Sequence, residues 1–499
     1  MENGMTGKTA KVLMAMALGA CGAGGYGATA PSGEAHHGGM AYSEGQSADT
    51  YADTPETLVN ETVQETMATF SLDVDTASYT RMRQAIRTGS LPAPASVRAE
   101  EYINFFRWGD HPPTRGDAPF GVSLESAPSP FGDEGQRLLR IGVQAMAVPV
   151  DQRPAANLVF LVDVSGSMRS PNKMDLVRYS LTTLVNTLRP DDTVGIVTYA
   201  GQVATLIEPT PVSRRGALLA AIESLRSGGS TNGEGGIRRA YDLAAQHFQE
   251  GGINRVIIAS DGDFNVGLTG DALIELIEDY RDRDITLTTL GFGTGNDRDM
   301  ERLADHGNGI YAYIDNRREA MRMLQSNLSG SLQVVAKDVK VQLEFDSDIV
   351  ESFRLIGYDN RVLEHHEFAD DAVDAGDIGS GHFATAYVEY TLRDGVEASD
   401  PRNFVEVRVR YKAPAGDESQ LLEFATRVRD GHITLSEASA PFRFGAAVAE
   451  FAEILRGSEF SNDRRFDEVR ELAESARWDQ GEDSGEFIEL VERASEIGR

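Results

Sequence analysis

Residues Phe160–Met168 read FLVDVSGSM: four apolar positions interrupted by Asp163, then Ser165 and Ser167 two residues apart. The run NLVFLVDV around them is continuous and rich in branched side chains, the pattern of a strand buried on both faces. Three oxygen-bearing side chains on alternate positions at its end are not what a core strand requires. Similar apolar runs follow at DTVGIVTYA, NRVIIAS and ITLTTLGFG, separated by helical stretches such as KMDLVRYSLTTLVNTL, SRRGALLAAIESL and GDALIELIEDYRDR. Strands alternating with helices predict a mostly parallel, doubly wound α/β sheet over residues 151–330.

The flanks read differently. In the region 63–150, FSLDVDTASYTRMRQAIRTG predicts a short strand or turn leading into a helix that SLPAPAS stops. VRAEEYINFF predicts a second amphipathic helix, HPPTRGDAPF a loop, and LLRIGVQAMAV a strand. In the region 331–499 the period shifts to two in KDVKVQLEF, HFATAYVEYTL and NFVEVRVRYK, which predicts an antiparallel sheet or sandwich. Helical patterning returns in FRFGAAVAEFAEIL and FDEVRELAESARW. The expected architecture is an α/β domain between an α+β amino-terminal region and a β-rich carboxy-terminal region that ends in helices. Strand-like segments on both sides, Leu138–Val148 and Asp338–Phe345, suggest that the α/β domain is inserted within a flanking sandwich.

In an open α/β sheet, ligands bind beyond the carboxyl ends of the strands. Asp163, Ser165 and Ser167 leave the first strand there. Thr231, in the glycine-rich turn SGGSTNGEGG, and Asp261, in IIASDGD, fall where the same crevice collects them. These three segments, in this order, resemble the von Willebrand factor type A domain and its metal-ion-dependent adhesion site. The resemblance implies one divalent cation held by Ser165, Ser167 and Thr231, with Asp163 and Asp261 acting directly or through water. Hard oxygen donors without His or Cys suit Mg²⁺, with Mn²⁺ as the alternative ion. Two carboxylates leave an open or water-filled position that an acidic group of a partner can occupy. FSLDVDTASY, SVRAEEYINFF, DVKVQLEF, FRLIGYDNRVL and DAGDIGSGH extend the resemblance to bacterial lipoproteins with a central type A domain and characteristic end regions.

Lys8 and Lys11 precede the apolar run VLMAMAL, which is far below the ~20 residues that span a bilayer. It suits a cleaved signal segment over residues 1–20. Leu18-Gly19-Ala20-Cys21 resembles the lipobox of bacterial lipoproteins, which implies acylation of Cys21, the one cysteine in the chain. Gly22 after it implies sorting to the outer membrane. Residues 21–62, rich in Gly, Ala, Ser and Thr at their start, read as a flexible tether.

A net charge of -31 argues against nucleic acid as a partner, because phosphate binding draws on Lys and Arg. Other motifs carry less. Asp261-x-Asp263-x-Asn265 imitates a calcium loop but has Val266 where that loop needs Gly and Ala272 where it needs Glu. Asp73 and Asp75 read as a capped turn or helix start. Arg115-Gly116-Asp117 is a chance tripeptide in a proline-containing loop. His365, His366 and His382, near Asp370, Asp371, Asp374 and Asp377, have no compact ligand spacing. No G-x-S-x-G elbow occurs, and the glycine-rich turn lacks a phosphate-loop Lys. The expected function is therefore binding rather than catalysis: a membrane-anchored envelope protein gripping a protein partner through the cation. The alternative is a scaffold for envelope complexes in which the metal only stiffens loops.

Overall fold

The protein's structure, a computed structural model, describes residues 60–498 apart from 111, 114–117, 171–172, 230–232, 263–269, 294–296, 328–331, 374, 415, 417, 462–465 and 478–481. The amino-terminal part contains β1 (Asn60–Glu61), β2 (Met67–Ser71), α1 (Ala77–Thr88), α2 (Ala99–Ile103), β3 (Phe120–Pro128) and β4 (Gln136–Ala145). The α/β segment then runs β5 (Ala156–Asp163), α3 (Lys173–Thr187), β6 (Thr193–Tyr199), β7 (Val203–Pro211), α4 (Arg215–Ser224) and α5 (Gly233–Gln246). It continues through β8 (Ile253–Ser260), α6 (Asp271–Arg281), β9 (Ile285–Gly291), α7 (Asp297–His306), β10 (Tyr311–Tyr313) and α8 (Arg317–Met321). The carboxy-terminal part adds β11 (Val334–Phe345), β12 (Val350–Ile356), β13 (Ile378–Gly379), β14 (Phe383–Leu392), β15 (Asn403–Lys412) and β16 (Ser419–Arg427). Four helices follow: α9 (Val428–Gly431), α10 (Ala440–Arg456), α11 (Phe466–Ser475) and α12 (Glu482–Ile497).

Strands from before and after the α/β segment pair with each other. One antiparallel sheet has the order β1-β12-β14-β4-β3. In the other, β2 and β13 share one edge of β11, and β15 and β16 lie beyond its opposite edge. Their inner faces bury Leu139, Ile141, Phe353 and Val388 with Val341, Leu343 and Val407. Phe345 and Phe353 stack with centroids 4.4 Å apart. The other face of the first sheet does not meet water. Leu138, Ile356 and Tyr387 pack there against α1, α2 and the last three helices through Tyr79, Tyr102, Phe444, Val469 and Phe487. Gly445 lets α10 lie directly on the sheet, since a Cβ there would sit 2.2 Å from the Tyr387 hydroxyl. That hydroxyl donates to Phe442 O at 2.9 Å. Covering by helices explains why β4 and β14 are buried almost throughout although they are antiparallel.

The α/β segment is a six-stranded sheet ordered β10-β9-β8-β5-β6-β7. Every pairing in it is parallel except β7 against β6. β7 is an edge strand, which is where Pro209 and Pro211 cost no ladder bond. β5 is buried at all eight positions. Leu158, Phe160 and Val162 face α3 and α4, and Val159 and Leu161 face α5 and α6.

Ion pairs dock this segment on the flanking parts. Arg83 of α1 is fully buried and donates to Asp315 at 2.6 and 2.8 Å, to Glu319 of α8 at 3.0 Å, and to Glu486 of α12 at 3.2 Å. Thr80 donates to Tyr313 O at 3.0 Å. Arg361 spans Asp73 and Asp305, and Arg98 pairs with Glu301. Near Arg98, the helix start at Thr76 has no side-chain cap. Glu101 of α2 supplies one instead, accepting from Ser78 N at 2.7 Å.

Arg83→Met leaves three buried carboxylates without their shared cation, and we expect it to cost about 3–5 kcal/mol in denaturant unfolding. A loss below roughly 1 kcal/mol would contradict that role. Burial pushes the Glu101 carboxyl up to about 8 and Glu100 up to about 7, from a usual value of 4.5. Both bind protons more tightly folded than unfolded, so their contribution is full below 4.5 and is lost as pH rises through 7 to 8. Melting temperature should therefore rise as pH falls from about 9 to about 6, and Glu101→Gln should flatten that slope.

Candidate functional site

β5 ends at Asp163, whose side chain is fully buried beneath the turn it starts. Asp163 Oδ1 accepts from Ser165 N at 2.7 Å, so the carboxylate fixes the turn that carries both serines. Ser165 Oγ and Ser167 Oγ then lie 2.8 Å apart. The neighbouring strand β8 is in parallel register, with Val162 opposite Ala259, and brings Ser260 alongside Asp163. Ser260 Oγ donates to Asp163 Oδ2 at 3.2 Å. Asp261 follows at the mouth, almost fully buried. Thus the structure brings Asp163, Ser165, Ser167 and Asp261 to the carboxyl ends of two adjacent strands.

Thr231 lies outside the described residues, as do Cys21, Asp263, Asn265, Asp374 and the tripeptide 115–117. The chain just before Thr231 is placed, however. Gly228 N donates to Val164 O at 2.7 Å, and Gly166 N donates to Gly229 O at 3.1 Å. The glycine-rich loop is therefore stitched to the serine-bearing turn. Gly229 adopts φ +107°, a conformation that favours glycine.

The site is short of positive charge. Burial raises the Asp163 carboxyl above its usual range, and the charge of Asp261 adds to this against hydrogen bonds from Ser165 and Ser260. Asp261 Oδ1 is buried without a hydrogen-bond partner. Its other oxygen, Oδ2, accepts from Lys173 Nζ at 2.9 Å. These hydroxyl and carboxylate oxygens form a hard donor set that fits a small divalent cation.

Sequence reasoning missed Ser260 and Lys173. The place of Ser260, one residue before Asp261 at a strand end, was a usable signal. Nothing in the spacing of Lys173 pointed to Asp261. The other motifs do not assemble a site. Asp73 Oδ1 accepts from Asp75 N at 3.1 Å, a turn rather than a helix cap. His365 bonds Thr69 and pairs with Glu65, and His382 is buried near Gln144 and Ala145. Among the described residues, no three His, Cys, Asp or Glu side chains converge as metal ligands.

Residues 157–327 match the family described as "von Willebrand factor type A domain", residues 45–140 match "von Willebrand factor", and residues 330–497 match "Uncharacterized protein YfbK, C-terminal". The chain is 39% identical over 467 residues to "Uncharacterized protein YfbK" of Escherichia coli (strain K12), covering 88% of this chain and 80% of that protein. It is 30% identical over 187 residues to "Uncharacterized protein sll0103" of Synechocystis, covering 37% of this chain and 44% of that protein. Among solved structures, a von Willebrand factor type A protein from Catenulispora acidiphila aligns over 73% of this chain and 88% of its own, at 16% identity and TM-score 0.42. The chain belongs to the bacterial family of von Willebrand factor type A proteins that carry a YfbK-type carboxy-terminal region.

Proposed function

We propose that the protein is a lipid-anchored envelope protein that binds a protein partner through one divalent cation. Ser165, Ser167 and Thr231 would hold the ion, with Asp163 and Asp261 acting directly or through water. A type A domain points to protein–protein interaction or adhesion. The observation that carries the finer reading is Asp261 Oδ1, buried and without a hydrogen-bond partner beside a second buried carboxylate. A buried polar atom of that kind costs free energy unless something pairs with it. Mg²⁺, or Mn²⁺, suits the oxygen donors. When bound, the ion would supply a Lewis-acid position for a carboxylate of the partner. The two serines would serve as ligands rather than nucleophiles.

The anchor would be Cys21, acylated at the start of the mature chain and sorted to the outer membrane. No helix among the described residues is long and apolar enough to cross a membrane. Acyl chains on one cysteine, with roughly 0.8 kcal/mol for each buried methylene, need none.

Titration of Mn²⁺ into the protein should show one saturable site, and Asp163→Ala should weaken it by roughly 100-fold or more. Ser167→Ala, which removes no charge, guards against a merely misfolded variant. In envelope extract, a partner retained in Mg²⁺ and lost in EDTA or with Asp163→Ala supports metal-bridged binding. Retention indifferent to EDTA would instead identify a scaffold in which the ion is a clip. The anchor has its own check: Cys21→Ser should move the protein from the detergent-soluble membrane fraction to the aqueous phase.

A further inference from the structure

Lys173 occupies an electrostatically adverse position. It is the first residue of α3, a helix of 15 residues, and a cation at a helix amino terminus opposes the macrodipole. Its side chain nevertheless turns inward and is only 20% exposed, with Nζ 2.9 Å from Asp261 Oδ2. Its tip passes close to glycine backbone. Gly293, just beyond the end of β9, has φ +106°, and a Cβ there would lie 2.4 Å from Lys173 Cε and 2.8 Å from Nζ. A side chain at that position would crowd the end of the lysine, which would have to shift. The pairing thus places an ammonium on one carboxylate of the cation site.

We propose that Lys173 is a built-in competing cation: it holds Asp261 in the metal-free protein and lowers the affinity of the site for a divalent ion. This inference rests on the cation-binding reading above and names its regulation. The charges give it content. Asp163 and Asp261 contribute two negative charges and Lys173 one positive, so a divalent ion leaves the site with a surplus of positive charge. Without Lys173 the loaded site would be neutral. The lysine therefore weakens metal binding and, in exchange, strengthens the hold of the loaded site on an acidic group.

The test is Mn²⁺ titration of the full chain, with free Mn²⁺ followed by its electron paramagnetic signal, for the wild type and for Lys173→Met and Lys173→Gln. Both variants should bind Mn²⁺ about tenfold more tightly or better, since one like charge has left the site. Acetate, titrated against the Mn²⁺-loaded proteins, should bind the variants more weakly than the wild type. Unchanged or reduced Mn²⁺ affinity in folded Met and Gln variants would overturn the proposal. If the wild type shows no saturable Mn²⁺ site, the cation reading itself fails, and the role of Lys173 falls with it.

Discussion

One buried guanidinium ties the three parts of the chain together. Arg83 comes from the amino-terminal helix, Asp315 and Glu319 from the end of the α/β segment, and Glu486 from the last helix. Burial alone would lower its pKa, but Glu319, Asp315 and Glu486 hold it above the ordinary range. A charge this deep is tolerable only when its donors are satisfied, and here three of its nitrogens have carboxylate partners. Arg322, beyond α8, adds bonds to Glu319 and to Thr76, and its guanidinium lies 4.2 Å over Phe105. The last helix of the α/β segment is in this way pinned to the flanking helices rather than left as a free end.

That pinning matters because the segment is an insertion. The chain enters it from β4, which pairs with β14, and leaves it into β11, which pairs with β2. Entry and exit are each fixed by a ladder that needs residues from the far side of the segment. The strand ends that carry Asp163 and Ser260 therefore stand on a frame closed across more than 150 residues, from β4 to β11. A ligand held there would pull on β5 and β8, the two central strands, which have the least freedom to yield. Binding energy gained at such a site is not spent on ordering the scaffold.

How far this was legible from sequence depended on periodicity. The continuous runs through Val159 and Ile257 and the alternation in β15 were visible because burial on two faces or one leaves a direct trace. The alternate oxygens at Asp163, Ser165 and Ser167 were visible because a core strand has no use for them. What escaped notice were side-chain pairings between segments distant in the chain. Arg83 reads as one more polar residue on an amphipathic helix, and its partners lie 232, 236 and 403 residues away. Lys173 reads as a helix-opening residue, and its inward course shows only in its pairing with Asp261, 88 residues away. The antiparallel β7 was hidden too, since its half-exposed positions lack the apolar run of its neighbours.

Charge gives the proposed reading its most demanding physical condition. The chain carries a formal charge of -31, so an acidic partner approaching from a distance meets repulsion. At physiological ionic strength that repulsion is screened over ~8 Å, roughly the scale of a single side-chain contact. Attraction to the site would be felt only inside that distance, where a cation beside the buried carboxylates of Asp163 and Asp261 is itself weakly screened. Recognition on these terms is local: it draws on the coordination position and on the fit of the partner around it, not on long-range steering. Moderate salt should then favour association by removing the repulsion while leaving the buried contact intact, the reverse of the usual behaviour of complexes steered by opposite charges.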